Sequence, residues 1–442
     1  MNLGQSYKRP VYRIEVDGKD ITATVRGRLS GLTLTDNRGF DADQLDIVLD
    51  DSDGKLDLPP RGVEVRVAFG WTHSGLVDKG IFTVDEVSHS GAPDQLTIRA
   101  RSADLRTGLT TQRERSWHAV TLGDIVREIA GENGLIPSIV GVLAAQIIDH
   151  LDQTNESSAN LLTRLSAQFD AISTVKNGRL MVIPSGGGVS ASGKPLPPVT
   201  ITRQSGDQHH FSLAERDTYS HVRATYNDTA SATKGEVLWG KTEDATENNR
   251  TAQAAAVAAG KYKQIGTISK RRDAAHRLAR KTWKAMSKAM RAGYAGVEAP
   301  YHDRNLNVSG KVAYGEADEQ RARQSAARLA EKDAARTGAP AVAIETSADN
   351  VKTLRHVYAS RDAARRAARA EWRRLQRGMA EFSITLAEGL PELIPEQPAT
   401  VRGFKPAIDS TEWLIVKATH NLNDNGLTTQ LALEIRATDI PG

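Results

Sequence analysis

Apolar and polar residues alternate along the first hundred residues of the chain. From Val11 to Val16, the side chains of Tyr12, Ile14 and Val16 share one face, which is the period-2 pattern of a half-buried strand. Clusters of Gly, Pro and Asp separate this run from similar ones. The further predicted strands are Leu29–Thr35, Gln44–Leu49, Val63–Phe69, Ile81–Val87 and Leu96–Ala100. Several short strands at such regular spacing predict a barrel or a sandwich.

The pattern changes to helical spacing after residue 115. A helix is predicted from Thr121 to Asn133, with Thr121 as its N-cap and Gly134 as its C-terminal stop. A second helix is predicted over Ser158–Phe169. Asn177-Gly178 then lies between two apolar runs, which is a strong hairpin signal. Residues 116–184 therefore predict a compact α+β unit.

The rest of the chain is divided by composition. Residues 185–198 are rich in Gly, Ser and Pro and predict a linker or an exposed loop. Residues 230–345 are rich in Ala, Lys and Arg, which predicts a helical or partly disordered insertion. A helix is predicted from Ser360 to Arg377, ended by Gly378. The remaining predicted strands are Val199–Arg203, Thr218–Tyr226, Leu354–Tyr358, Ala380–Leu386, Trp413–Thr419 and Thr428–Ile435. Asn425-Gly426 predicts a hairpin turn between the last two of them.

Two stretches of the chain resemble each other. Arg271–Met286 reads RRDAAHRLARKTWKAM, and Ser360–Leu375 reads SRDAARRAARAEWRRL. Both place Arg-Asp-Ala-Ala before a Trp about ten residues further on. Two Ala/Arg-rich helices that converged in sequence would explain the likeness, and so would a partial duplication. The sequence leaves both explanations open.

Composition excludes several classes of protein. With 442 residues, the chain is long enough for two to four domains of roughly 100–200 residues each. Of its residues, 39% are hydrophobic and 25% are charged, a composition that excludes both a wholly disordered chain and a membrane protein. The absence of cysteine excludes disulfides, thiolate metal sites and a cysteine nucleophile. We expect no transmembrane helix, because no run of about 18 apolar residues occurs, and the polar N-terminus predicts no secretory signal.

Charge is unevenly distributed, although the net charge is only +4. Residues 41–57 contain seven Asp, whereas residues 261–291 contain eleven Lys or Arg and one acid. A run of bases is most often a solvated helix face. The alternative is contact with an anionic partner, and the acidic stretch could itself be an internal or intersubunit partner. The candidate contact residues are Lys270, Arg271, Arg272, Arg277, Arg280 and Lys281.

The motifs that suggest chemistry are incomplete. Gly188–Lys194 begins like a phosphate-binding loop, but Pro195 follows where Ser or Thr and a helix belong. Asp50–Gly54 is similar to a calcium loop, but the required first and last ligands are missing. His209 and His210 are adjacent on a predicted strand and so point to opposite faces. We therefore predict no catalytic residue, no metal site and no cofactor.

Longer segments identify a family. The chain resembles the late control gene D family, the tail hub proteins of contractile-tailed bacteriophages and related prophage particles. The resemblance spans nearly the whole chain, except residues 230–345. The segments that carry it are Leu32–Val48, Phe82–Ser102, Thr121–Ala130, His150–Arg164, Gly188–Lys194, Asp207–Phe211, Trp372–Thr385 and Thr411–His420.

The resemblance implies a structural, non-enzymatic role. Members form a homotrimer whose subunits each contribute two β-barrel-like tube domains, so that three chains imitate a six-fold ring between the hexameric tail tube and the trimeric spike. Together, the resemblance and the sequence pattern predict an α+β, β-rich fold with two β-barrel-like tube domains and an α+β insertion, and composition alone adds a helical, basic insertion. The expected domains are a first tube domain at 1–115, an α+β insertion at 116–198, a second tube domain at 199–229 plus 346–442, and an insertion at 230–345.

The family role also implies partners and a location. The partners are the spike, the tail tube protein, the tape-measure protein and the surrounding baseplate proteins, with no membrane insertion and with nucleic acid only passing through the lumen. The location is the virion tail, after assembly in the host cytoplasm. Within the matched segments, the expected interface residues are Asp36, Asn37, Arg38, Gly39, Phe40, Asp43, Gln44 and Asp46.

Two other functions compete with the hub. A nucleic-acid-binding late regulator would use the basic helices. A cell-wall hydrolase would have room only in residues 230–345, which are poor in the large apolar residues that a catalytic cleft needs.

Overall fold

The computed structural model describes residues 8–102, 108–190, 192–213, 219–228, 231–248, 262–264, 272–287, 290–291, 294, 296–303, 308–315 and 351–436. The chain divides into two compact units. The first consists of Met1–Val237 with Thr353–Gly442, and the second of Leu238–Lys352. Each unit is described by itself. No helix in these ranges is long and apolar enough to cross a membrane.

Seven strands and a short helix build the N-terminal part of the first unit. The elements are β1 (Pro10–Val16), β2 (Lys19–Asp20), α1 (Thr22–Val25), β3 (Leu29–Asp36), β4 (Gln44–Asp50), β5 (Glu64–Trp71), β6 (Gly75–Ser90) and β7 (Gln95–Ser102). All six strands predicted in this region are confirmed, and β2 is added to them. Their alternate apolar side chains form one core, here called the first core, around Ile14, Leu34, Val67 and Phe69.

An α+β layer follows. The elements are β8 (Gln112–Thr121), α2 (Leu122–Glu132), β9 (Ile136–Ile139), α3 (Gly141–Ala144), β10 (Ile147–Ser157), α4 (Ser158–Gln168), β11 (Ala171–Lys176) and β12 (Arg179–Pro184). The predicted cap of α2 is confirmed, because Thr121 Oγ1 accepts from the amide of Asp124 and the Asp124 carboxylate accepts from the amide of Thr121. The helices cover a three-stranded sheet and a two-stranded ribbon, and their apolar faces form the middle core.

The second core draws on distant parts of the chain. It contains Ile201 from residues near the middle, and Phe382, Trp413 and Leu431 from near the end. The predicted hairpin turn at Asn425-Gly426 is confirmed between the last two strands. The elements are β13 (Val199–Thr202), β14 (Gly206–Leu213), β21 (Ala380–Leu386), β22 (Pro398–Arg402), α8 (Pro406–Asp409), β23 (Glu412–Asn423) and β24 (Gly426–Ile435).

One sheet joins the first and second cores. β23 pairs antiparallel with β3, from Ala418 opposite Asp36 to Asn423 opposite Gly31. As a result, thirteen of the described strands belong to a single sheet. The cores also interlock, because Leu422 of β23 and Leu427 of β24 are buried in the first core. The N-terminal and C-terminal strands are therefore parts of one structure.

Residues 221–377 contain two three-stranded sheets, each with a helix. The elements are β15 (His221–Asp228), β16 (Thr233–Gly240), α5 (241–248), β17 (Tyr262–Gln264), α6 (Arg272–Ala285), β18 (Gly296–Asp303), β19 (Val308–Gly315), β20 (Val351–Tyr358) and α7 (Arg361–Arg377). In the first unit, β20 pairs with β15 and β15 with β16, and α7 packs on β15. In the second unit, the order is β17, β18, β19, and α6 packs on β18 and β19. The insertion at 230–345 thus has strands as well as a helix in its described part.

Truncating Leu422 tests the interlocking of the two cores. Leu422 is 4% exposed and packs with residues of the first core from more than 300 positions away. We expect Leu422→Ala to lower the free energy of unfolding by about 2–5 kcal/mol, because it leaves a cavity at the junction. Chemical denaturation measures this loss. The matched control is Leu58→Ala, at a leucine that is 62% exposed, and it should change stability by less than about 0.5 kcal/mol. Equal effects of the two substitutions would contradict the interlocked arrangement.

Candidate functional site

The connection between β3 and β4 carries two buried carboxylates. Asp36 ends β3 and Asp43 lies just before β4, and each is 9% exposed. The connection is held in shape by its own hydrogen bonds. The amide of Asn37 donates to Asp43 Oδ1 at 2.8 Å, and Asn37 Nδ2 donates to the carbonyl of Ala42 at 2.9 Å. Gly39 adopts a φ of 77°, which other residues rarely adopt. The loop thus fixes both carboxylates in place.

Two lysines from other elements neutralise these carboxylates. Lys176 ends β11, and its Nζ lies 2.7 Å from Asp36 Oδ1 and also contacts Asp43 Oδ2. Lys79 of β6 lies 3.4 Å from Asp36 Oδ2, and its side chain is 5% exposed. The group of Asp36, Asp43, Lys79 and Lys176 is called the aspartate–lysine cluster below. It ties the α+β layer to the end of the first core.

Burial and charge compete in setting the pKa values of the cluster. Burial favours a raised pKa for Asp36, but the ammonium groups of Lys176 and Lys79 outweigh it and hold the pKa below its usual value. Burial raises the pKa of Asp43, only partly offset by Lys176. Burial likewise lowers the pKa of Lys79. For Lys176, burial is outweighed by Asp36 and Asp43, so its pKa is raised. The Lys176 ammonium and the Asp36 carboxylate are thus the stable charges of the cluster.

A second group of charges, the arginine–glutamate cluster, lies at the end of the second core. Arg38 contacts Glu396 at 2.7 Å and Glu434 at 2.6 Å. Arg377 is 3.6 Å from Glu434 and 2.6 Å from Asp170. These residues come from the β3–β4 connection, the segment before β22, β24, the end of α7 and the turn between α4 and β11. Burial raises the pKa of Glu396, although Arg38 opposes the shift.

The two clusters share a cavity of about 390 Å³. Residues of the β3–β4 connection, the β11–β12 hairpin and the segment before β22 line it. Near the aspartate–lysine cluster, His420 is fully buried, and its Nδ1 lies 2.9 Å from Thr429 Oγ1. Burial, followed by the charge of Lys79, lowers the pKa of His420 to about 3, so the imidazole is neutral.

This arrangement is suited to holding elements together. Every charge in the two clusters has a partner of opposite sign from a different element. Breaking such a buried pair is costly because one charge remains buried without its partner. The clusters therefore fix how the α+β layer, the first core and the second core meet.

The predicted interface residues lie in different surroundings. Asp36, Asn37, Arg38, Gly39 and Asp43 all border the cavity, and Phe40 packs against the middle core. Gln44 and Asp46 instead lie on β4, where Gln44 is exposed and donates to Asp46 Oδ2 at 2.9 Å. The assignment of all eight residues to a subunit interface stays a prediction.

The acidic stretch, residues 41–57, contacts basic side chains within the first unit. Asp53 lies 2.7 Å from Arg28, Asp46 lies 3.7 Å from Arg99, and Asp51 lies 3.2 Å from His89. The calcium-like turn is thus partly neutralised by Arg28.

The predicted basic contact residues belong to one helix where they are described. Arg277, Arg280 and Lys281 are exposed on α6, and Arg272 is its first residue. Lys270 and Arg271 lie outside the described residues.

The other motifs have structural surroundings. In the described part of Gly188–Lys194, the amide of Ser190 donates to the carbonyl of Lys194 at 2.8 Å, and the next element along the chain is β13 rather than a helix. His209 lies on β14, with its ring 5.0 Å from that of Phe404. Across the described ranges, no group of three or more His, Asp or Glu residues is placed to hold a metal ion.

Sequence reasoning missed most of the residues that complete the clusters. Lys79, Lys176, Arg377, Glu396 and His420 are far from the β3–β4 connection along the chain. The one local signal is a polar residue at a position where the alternation of the strand calls for an apolar one, such as His420 between Ala418 and Leu422 of β23. That signal marks a buried polar group but does not identify its partner.

The relatives of the chain agree with the resemblance seen in its sequence. The family described as "Phage tail baseplate hub (GPD)" matches residues 57–300. A probable baseplate hub protein of Escherichia phage 186 is 40% identical over 431 residues, covering 98% of this chain and 94% of that protein. The chain belongs to the phage tail baseplate hub family. A probable baseplate hub protein of Escherichia phage P2 is 41% identical over the same shares of both chains.

Solved structures show the same fold. The 43 kDa tail protein of prophage MuSo2 from Shewanella oneidensis superposes with a TM-score of 0.57, at 12% identity, over 97% of this chain and 99% of that one. A tail protein from Neisseria meningitidis MC58 gives a TM-score of 0.54 at 13% identity, over 98% and 99%. These structures confirm the α+β, β-rich fold. The family and the relatives confirm the structural hub function. The hub is a component of the phage tail and not an enzyme, and the regulator alternative has no support.

Removing Lys176 tests the aspartate–lysine cluster. Lys176→Met keeps a side chain of similar length but leaves Asp36 and Asp43 with Lys79 as their remaining cation. We expect the free energy of unfolding at pH 7 to fall by about 3–5 kcal/mol, as measured by chemical denaturation. Lys19→Met, at an exposed lysine of β2, is the control and should have little effect. A loss below about 1 kcal/mol for Lys176→Met would show that the cluster does not hold the elements together.

The buried His420 predicts a specific dependence on pH. The unfolded chain takes up a proton at this imidazole near the ordinary histidine pKa of 6.5, whereas the folded chain stays neutral down to about 3. Stability from this residue is complete above pH 6.5 and is lost as the pH falls towards 3. When the pH is lowered from 7 to 5, the free energy of unfolding of the hub should therefore fall by about 2 kcal/mol more than that of its His420→Gln variant. Denaturation curves at both pH values measure this difference. His73→Gln, at an exposed histidine, serves as the control, and identical pH dependence of the hub and His420→Gln would rule out the neutral buried imidazole.

Proposed function

We propose that three copies of this hub close into a ring that joins the hexameric tail tube to the trimeric spike. The single observation that supports this most is the pairing of β3 with β23. It places the first and the second core, each enclosed by strands of the shared sheet, side by side in one chain. Three chains would therefore supply six such units. Contacts that close by rotation build rings, and a closed ring leaves no sheet edge unpaired.

The polar face of the shared sheet is suited to lining the lumen of this ring. Alternate residues of β3, β23 and β24 are buried, and those between them face outward. Across the β3–β23 pairing itself, the outward residues are uncharged and polar, and Thr33 Oγ1 lies 3.0 Å from Asn421 Oδ1. Beside them, Asp46 of β4 lies 3.7 Å from Arg99, and Lys417 is exposed further along β23. Such a surface offers neither apolar adhesion nor strong charge to a passing tape-measure protein or DNA. The proposed lumen residues are Thr33, Thr35, Thr385, Thr419, Asn421, Thr428 and Gln430.

The division of the chain follows from the same proposal. Residues 1–115 form the first tube domain, and residues 199–229 with 346–442 form the second. The α+β insertion occupies residues 116–198. Residues 230–345 decorate the outside of the hub and contact the surrounding baseplate, and the particle is assembled in the host cytoplasm. The first, middle and second cores, each drawn mainly from one of these segments, support the division into two tube domains and an α+β insertion.

The absolute mass of the purified hub tests the ring. Light scattering behind size exclusion should give about 144 kDa, which is three chains of 47.9 kDa. The ratio of ultraviolet absorbance of nucleic acid to that of protein, recorded on the same peak, should show that no nucleic acid is bound. If the hub elutes as a monomer, the measurement is repeated with the spike and tube proteins, where the trimer should form. A monomer or dimer that persists with both partners and carries nucleic acid would contradict the proposal.

A further inference from the structure

Residues 221–377 contain the same module twice. α6 and the first fourteen residues of α7 are identical at eight of fourteen positions. Each helix begins ten residues after the start of the preceding strand, which is β17 for α6 and β20 for α7. Each also buries its Trp, Trp283 at 0% and Trp372 at 4% exposure.

The hairpins repeat as well. β15 and β18 each have eight residues and share four of them: Val222, Ala224, Tyr226 and Asp228 recur as Val297, Ala299, Tyr301 and Asp303. β16 and β19 share Gly, Val and Gly at matching places. Four residues separate the strands in both hairpins, and the order of strands in both sheets is the same. Of the two explanations that the helix sequences left open, these matches favour duplication.

The helix of one copy is covered on two sides. α7 packs on β15 with one side. On its other side, the Arg366 guanidinium lies 5.3 Å from the centre of the Phe169 ring. Arg377 and Arg373 approach Asp170 at 2.6 and 3.9 Å. An aromatic ring beside a carboxylate therefore receives the basic side of α7.

The helix of the other copy has the corresponding side exposed. α6 buries Ala279, Trp283 and Met286. Arg277 and Lys284, at the positions of Arg366 and Arg373, are exposed bases. Lys281, also exposed, replaces the buried Ala370 and adds a further positive charge. The basic character of this side is thus retained and strengthened, although the first unit's acidic corner is already occupied by α7.

We propose that the exposed basic side of α6, formed by Arg277, Arg280, Lys281 and Lys284, docks on an acidic protein surface in which carboxylates lie beside an aromatic ring. A protein surface is favoured over nucleic acid because the equivalent side of α7 is received by Asp170 and Phe169. The identification of the occupant as another baseplate protein rests on the proposed hub function. The chemistry of the docking surface does not depend on it.

Binding to defined polyanions tests this proposal with the full-length hub. The probes are immobilised poly-L-glutamate, a random glutamate–tyrosine copolymer and double-stranded DNA, at about 100 mM salt so that only close charges contribute. The hub should bind the copolymer most tightly, poly-L-glutamate less tightly and DNA most weakly. The variant R277Q/K281Q/K284Q should bind the copolymer at least tenfold more weakly. The control K19Q/K194Q/K405Q removes the same charge from exposed lysines elsewhere and should stay within about twofold of the hub.

Each other outcome overturns the docking proposal. Equal losses in the two variants would mean that only net charge matters. If DNA bound more tightly than the copolymer through the same three residues, the surface would be a nucleic-acid site. If the copolymer did not bind at all, the surface would not recognise an acidic protein. The triple variant should keep the melting temperature and the oligomeric mass of the hub, because its side chains are exposed. A failure of copolymer binding with the trimer intact would refute the docking surface alone, whereas failure of the hub to form a trimer with its partners would refute the proposed function.

Discussion

The antiparallel pairing of β3 with β23 is the contact on which the rest of the first unit depends. It connects strands almost 400 residues apart, with Thr33 facing Asn421 and Leu32 facing Leu422. Bringing such distant segments together costs conformational entropy that local contacts do not recover. The pairing is stable because it is extended into a sheet of thirteen strands and because Leu422 and Leu427 are buried in the first core. The proposed six-fold pattern, made from three chains, would require such a fixed junction.

Buried charge gives this junction a defined geometry. Apolar packing is tolerant of small shifts, but a buried carboxylate that moves from its cation loses its compensation. Lys176 bridges Asp36 and Asp43, and Arg38 bridges Glu396 and Glu434, so the α+β layer and both cores are each held by an ion pair. Replacing such pairs by apolar residues is often stabilising in other proteins. Their use here fits a protein whose role is to present surfaces at fixed positions.

Local features of the fold were readable from the sequence, and distant ones were not. The N-cap at Thr121, the helix start at Ser360 and the turn at Asn425-Gly426 each depend on neighbouring residues, and all three were predicted. The reciprocal bond from Asp124 that completes a capping box was not predicted. β8 and β10 were missed because polar residues such as His118 and His150 cover their exposed face and obscure the alternation. Lys176 lies 140 residues from Asp36 along the chain, and no periodic pattern in the sequence predicts a contact between residues so far apart. The duplication of the hairpins was not predicted, because the residues that the two copies share alternate with unlike residues in a polar segment.

We propose that the polar face of the shared sheet lines the pore of a three-chain ring. Electron cryo-microscopy of the assembled hub tests it most directly. We expect three chains around one axis, six sheet-bounded bodies, and the side chains of Thr33, Thr419, Asn421 and Gln430 facing that axis. A map in which this face is covered by another protein, or points away from the axis, would contradict it.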